Sequence, residues 1–195
     1  CTPTRLSQNQ NKSKFYFLTT EKMNLKKATR QDIINTIGIP IGESYTILTG
    51  DDSEEGIDLF KKYQNKYSNF RVIDANYEFN YSKINNQAVK EAKGEYIVLL
   101  NNDTEIITPH WLQIMVGYAM QPHIGAVGTK LLYPDNTVQH AGIILGIGGI
   151  AQHCFIDNPR EDVGFYGRLS VPFNYSAVTA ACLMVSKEKY LEVNG

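Results

Sequence analysis

An acid placed just beyond an apolar strand can hold a cation or a phosphate, and the sequence offers that arrangement twice. In residues 94–106, GEYIVLLNNDTEI, the β-favouring run from Tyr96 to Leu100 breaks off into Asn101, Asn102 and Asp103. Earlier, the apolar residues 45–49 run into Gly50, Asp51, Asp52 and Ser53. Ligands of open α/β sheets bind just beyond the carboxyl ends of the strands, which is where both acidic stretches fall. Magnesium and manganese are usually held by one or two carboxylates plus the phosphates of a substrate, so Asp103 flanked by Asn102 is sufficient. A nucleoside diphosphate needs such a cation at its pyrophosphate and a hydrogen-bond acceptor at its base. The competing reading is plain turn chemistry, which also favours Asn-Asn-Asp-Thr after a strand.

The elements that would position these groups alternate. Residues 1–14 are polar and aperiodic and read as a flexible tail. Residues 15–18 suggest a first strand closing on Thr19 and Thr20, and residues 26–37 a weak helix with Ile33, Ile34 and Ile37 on one side and Gly38 as C-cap. The strand at 45–49 precedes a helix over 54–67, with Ile57, Phe60, Tyr63 and Tyr67 at helical spacing and acids in its first turn. Residues 70–74 form a third strand, and Ser82 caps a helix in which Ile84, Ala88 and Ala92 share a face until Gly94. Strand–helix alternation of this kind calls for a parallel sheet with right-handed crossovers.

After Asp103 the texture changes. Thr108 as N-cap and Pro109 at the first helical position open a helix bearing Trp111, Leu112, Met115 and Tyr118. Residues 125–133 and 138–147 read as strands around the turn Pro134-Asp135-Asn136, and 151–170 as a long loop of functional or mobile character. Residues 178–185 give a last strand and 187–193 a helix.

Nineteen basic and 20 acidic residues leave a net charge of -1, with no basic footprint for nucleic acid. No run is long and apolar enough to span a membrane and no signal peptide opens the chain, so a soluble, cytoplasmic protein is expected, with peripheral membrane association left open. Cys1, Cys154 and Cys182 make no disulfide framework. The opening Cys1 and closing Gly195 suggest an excerpt from a longer protein.

The string FNYSKINNQAVKEAKGEYIVLLNNDTEI, Phe79 to Ile106, resembles family 2 glycosyltransferases of the GT-A fold. The likeness continues through WLQIMVGYAMQPHIGAVGTKLLYPDNTVQHAGIILGIGGIAQH, Trp111 to His153, and NYSAVTAACLMVSK, Asn174 to Lys187. It implies a Rossmann-like three-layer α/β/α domain over 15–195 with a mostly parallel central sheet, its nucleotide-binding part at about 15–106 and an incomplete acceptor part at about 107–195. It also implies a nucleotide-diphosphate sugar donor, a saccharide or lipid-linked saccharide acceptor, a divalent cation (Mg or Mn) and inverting transfer in polysaccharide synthesis. On this resemblance Asp103 is the metal ligand, Asn102 lies beside the ribose and phosphates, Asp51 reads the nucleobase and Thr19 contacts the nucleoside. The base that deprotonates the acceptor is expected beyond Gly195. The chain departs from the family at Leu18-Thr19-Thr20-Glu21, where a Pro-Thr-Tyr-Asn-like run is usual, and at Gly50, where an acid is common.

Other features have plainer readings. Gly146, Gly148 and Ala151 match a dinucleotide fingerprint, but the helix that should follow is missing, and a flexible floor of the acceptor pocket is the better reading. His140, His153 and Cys154 lack the spacing of a zinc site and read as structural or pocket-lining groups. Cys182 reads as a small buried hydrophobe. The rival to an enzyme is a degenerate GT-A module that binds a partner or a saccharide without catalysis.

Overall fold

The computed structural model of the chain describes residues 15–20, 43–49, 61–62, 64–68, 70–74, 80–101 and 104–195, the first two segments by their backbone. The tail at 1–14 and the helix expected at 26–37 lie outside the described residues. Of the helix expected at 54–67, residues 61–62 and 64–66 are helical.

Six strands form the main sheet: β1 (Phe15–Thr20), β2 (Glu43–Thr49), β3 (Phe70–Asp74), β4 (Tyr96–Asn101), β5 (Val127–Gly128) and β10 (Cys182–Ser186). Their spatial order is β3-β2-β1-β4-β10-β5. The expected mostly parallel sheet is corrected here. Among the described residues only β2 and β3 pair in parallel; β1 is antiparallel to both β2 and β4, and β10 to both β4 and β5. The apolar pattern of a strand is the same read in either direction, so strand direction could not be taken from it. The pairings still orient β2, β3, β4 and β5 one way, with β1 and β10 opposed between them. The carboxyl ends of β2 and β4 therefore share an edge.

Burial follows from a helix on each face. Val98 and Leu100 of β4 meet Trp111, Leu112, Met115 and Val116 of α2 (Trp111–Ala119) together with Met184 of β10. Ile97 and Leu99 point the other way, onto Ile84, Ala88 and Val89 of α1 (Tyr81–Glu91). With both faces covered, β4 must be apolar at every interior position, which explains its unbroken run. Each such side chain contributes roughly 1.5–3 kcal/mol by leaving water. α3 (Lys187–Glu192) docks on the α1 side, where Tyr190 Oη donates to Asn86 Oδ1 at 2.7 Å and Lys187 Nζ to the Ala92 carbonyl at 2.6 Å.

Helix ends differ from the sequence reading. Asn80, not Ser82, caps α1: its Oδ1 accepts from the Lys83 N–H at 2.9 Å, and the helix closes at Ala92 before reaching Gly94. α2 begins after His110, whose φ of 60° is left-handed and whose side chain makes no cap bond, so Thr108 and Pro109 precede the helix rather than start it. Residues 125–133 divide between two sheets, β5 in the main one and β6 (Leu131–Leu132) paired with β7 (Val138–His140). Residues 138–147 divide likewise into β7 and β8 (Ile143–Leu145), and the expected long loop starts with β9 (Ala151–His153), which pairs with β8. The last strand is shorter than expected, because residues 178–181 precede β10.

Candidate functional site

The edge where β2 and β4 end is organised around Asn101. Its N–H donates to the Ala181 carbonyl at 2.8 Å, tying the end of β4 to the chain entering β10. Its own carbonyl accepts from the Thr104 N–H at 3.3 Å and from Thr104 Oγ1 at 2.6 Å. Asn101 and Thr104, the residues flanking Asn102 and Asp103, are thus fastened to each other and to the sheet. Asp51, Asn102 and Asp103 lie outside the described residues. Thr19 is placed by register: it pairs with Ser44 and Ile97, whereas Asn101 pairs with Phe15. At about 3.3 Å per residue that sets Thr19 roughly 13 Å down the strand from Asn101, so the fold does not bring Thr19 to this edge.

A second polar cluster sits downstream. Between the β8–β9 hairpin and the loop after it is a pocket of about 240 Å³. Ile144, Ile147 and Phe155 wall it; Gln152, His153 and Arg168 give it polar groups. Tyr175 also faces it, and its hydroxyl is buried with no hydrogen-bond partner. Burial pushes the Tyr175 and Cys154 pKa values up, so both stay protonated near neutrality. Gly142 holds the Tyr175 ring: its φ is +118°, and a Cβ there would run into that ring. Paired backbone bonds between Ile143 and Ala177 fix the same segment, and Ala181, six residues after Tyr175, carries the carbonyl that binds Asn101. Six residues span at most about 20 Å, which bounds the distance between pocket and strand end.

His140 is fully buried beneath this region, its Nδ1 at 3.4 Å from His153 Nδ1 and its Nε2 accepting from the Thr179 N–H at 3.4 Å. Because Nε2 accepts, the proton of the neutral ring is assigned to Nδ1. Burial, then the neighbouring His153, pushes the His140 pKa down to about 4. Among the described residues no group of three His, Cys, Asp or Glu side chains is placed to hold a metal. Cys182 is buried, with its pKa pushed up to about 11 by burial, as a small hydrophobe.

The family model for Glycosyl transferase family 2 matches residues 27–188. The chain belongs to glycosyltransferase family 2. It is 38% identical over 177 residues to an uncharacterized protein of Sinorhizobium fredii, y4gI, covering 91% of this chain and 20% of that protein. It is 43% identical over 124 residues to the O-antigen biosynthesis protein RfbC of Myxococcus xanthus, covering 60% of this chain and 9% of that one. The chain therefore spans a fifth or less of the length of these relatives. No solved structure matches it.

Within this glycosyltransferase domain, Gly146 and Gly148 belong to the tip of the β8–β9 hairpin, where the Gly146 N–H donates to the Ile150 carbonyl at 2.9 Å. They open no helix, which rules out the dinucleotide fingerprint there. Arg168 and Tyr175 escaped the sequence reading. The available signal was an arginine interleaved with Phe165, Tyr166, Phe173 and Tyr175 inside an otherwise aperiodic loop.

Proposed function

We propose that this chain is the donor-binding core of a nucleotide-sugar-dependent, inverting glycosyltransferase of GT-A type that works with Mg or Mn in building a cell-surface polysaccharide. The observation that carries this is the shared edge. β2 and β4 run the same way, so the acids that follow Thr49 and Asn101 set out from one side of the sheet. Asp103 with its neighbouring Asn side chains is a hard-oxygen donor set that fits either cation. Bound there, the ion would neutralise the charge that gathers on the departing nucleoside diphosphate.

Each residue then has a task. Asp103 holds the cation, Asn102 lies against ribose and phosphate, and Asp51 accepts a hydrogen bond from the nucleobase. Thr19, set at the other end of β1, is left out. A carboxylate must take the proton of the acceptor hydroxyl. Asp162 is poorly suited, because the Gly164 N–H at 2.7 Å and Asn158 Nδ2 at 2.6 Å donate to it and hold its pKa below the usual carboxylate range. The acceptor is a saccharide or lipid-linked saccharide, a reading supported by the similarity to the O-antigen biosynthesis protein of Myxococcus xanthus. A cytoplasmic reaction is part of this proposal. No helix among the described residues is long and apolar enough to cross a membrane.

Base recognition tests the donor reading. With manganese present, uridine, thymidine, guanosine and adenosine diphosphates should raise the melting temperature unequally, since a site built around one buried hydrogen bond penalises a ligand that lacks the donor. Asp51→Ala should level the four. Equal stabilisation of the parent chain by all four would contradict the assignment of Asp51.

A further inference from the structure

We infer that the pocket between the β8–β9 hairpin and the 155–175 loop binds the anionic group, carboxylate or phosphate, of an acidic sugar. Three observations converge on it. The Arg168 guanidinium is held over the Phe173 ring at 4.3 Å and near the Phe165 ring at 5.9 Å, and among the described residues it has no carboxylate partner. Among the described residues none that lines the pocket is acidic. Tyr175 lines the same space, and its hydroxyl is buried without a hydrogen-bond partner.

A half-buried cation without a counter-charge and a buried hydroxyl without a partner are both costly, and one anion relieves both. Arg168 offers a planar fork that matches a carboxylate or a phosphate, and protonated Tyr175 donates a further bond. The ring contacts of the guanidinium limit its freedom before a ligand arrives, which reduces the entropy lost on binding. Gly142 packs closely against the Tyr175 ring, which limits how far that ring can move. The pocket, at about 240 Å³, is smaller than the roughly 300–1,000 Å³ of sites for drug-sized ligands. It takes a single ring, with Ile144 and Ile147 against its apolar side. That the anion rides on a sugar rests on the proposed glycosyl transfer; that it is an anion rests on Arg168 and Tyr175 alone. The segment from Tyr175 leads to the Ala181 carbonyl at the end of β4, which ties the pocket to that edge through six residues of chain.

The test uses the chain labelled with ¹⁵N and titrated with glucuronate, glucose 6-phosphate, glucose, acetate and inorganic phosphate. The signals read are the Arg168 Nε–Hε group and the amides of residues 152–155. Saturable shifts are expected with glucuronate or glucose 6-phosphate, the tighter of the two naming the anion. Glucose should shift nothing. Arg168→Gln should weaken binding about tenfold or more, and Tyr175→Phe about fivefold. Tyr175→Phe removes only a hydroxyl, so it decides the matter if Arg168→Gln does not fold. Its melting temperature should be unchanged or higher, whereas a structural hydroxyl would lower it. Glucose binding as well as the acids would overturn the anion, and acetate or phosphate binding as well as the acidic sugars would overturn the sugar. Absent shifts, or parental affinity in both variants, would overturn the site. None of these readouts needs donor or metal. A chain that takes glucuronate but no nucleoside diphosphate therefore contradicts the proposed function alone, and the reverse contradicts this inference alone.

Discussion

β4 and the β8–β9 hairpin look alike as apolar runs, yet β4 is covered on both faces while the hairpin leaves Leu145 57%, Ile147 49% and Ile150 89% exposed. The difference lies in what is stacked on them. β4 has α1 on one side and α2 on the other, so its side chains are frame and its chemistry is confined to its end. The hairpin is a two-stranded sheet of its own, and the space beside it is a pocket with Arg168 and Tyr175 in it. Apolar surface left exposed beside convergent polar groups is what a ligand-facing surface requires. On the proposed function, the domain joins a strand end covered on both faces, which would hold phosphate and cation, to a less buried half that would choose what is modified.

Truncations on the two sides should differ most. Trp111→Ala opens a cavity against Val98, Leu100 and Met184 and should cost about 3–5 kcal/mol in chemical denaturation. Ile150→Ala, at the exposed hairpin tip, should stay within about 0.5 kcal/mol. A loss at Ile150 approaching that at Trp111 would mean that the hairpin is core and the contrast mistaken.

The hairpin half has one backbone position as strict as any in the frame. Gly142→Ala must place a Cβ at a φ of +118° and against the Tyr175 ring, and should cost about 1–3 kcal/mol. A neutral or stabilising effect in the same denaturation experiment would show that Gly142 does not hold Tyr175.

A smaller effect distinguishes the halves by pH. The folded pKa of His140, about 4, lies below its ordinary value of 6.5, so between these values the unfolded chain binds more protons than the folded one. The stability that neutral His140 contributes is therefore fully present above about pH 6.5 and is lost as pH falls towards about 4. Protonation would also turn a proton on Nε2 towards the Thr179 N–H that it now accepts. His140→Gln should flatten this part of the profile; an unchanged slope of stability against pH would assign it to other groups.

How much of this was legible depends on whether a signal was local. β3 was read at its observed bounds, and β4 to within one residue, because β-favouring runs bounded by polar residues are a local signal. The caps were misread where two candidates competed: Asn80 and Ser82 are both capping residues, and only the backbone bond from Lys83 decides for Asn80. Residues 125–133 look like one strand, yet Gly128 packs against Val178 beside β10 while Leu131 and Leu132 pair with β7, a division fixed by partners far along the chain. Strand direction was illegible for the same reason. Of the candidate site, the acidic strand ends could be read because they punctuate apolar runs. The Arg168 and Tyr175 pocket could not, since it is assembled from a hairpin and a loop with no periodicity.

The central claim is that the edge at the end of β4 holds a nucleoside diphosphate through a cation on Asp103. Manganese with the preferred nucleoside diphosphate should raise the melting temperature of the chain, by an amount equivalent to about 2.7 kcal/mol at a hundredfold excess over Kd. In Asp103→Ala that rise should vanish, while the melting temperature without ligand stays nearly the same. A full ligand-induced rise in Asp103→Ala would contradict the account.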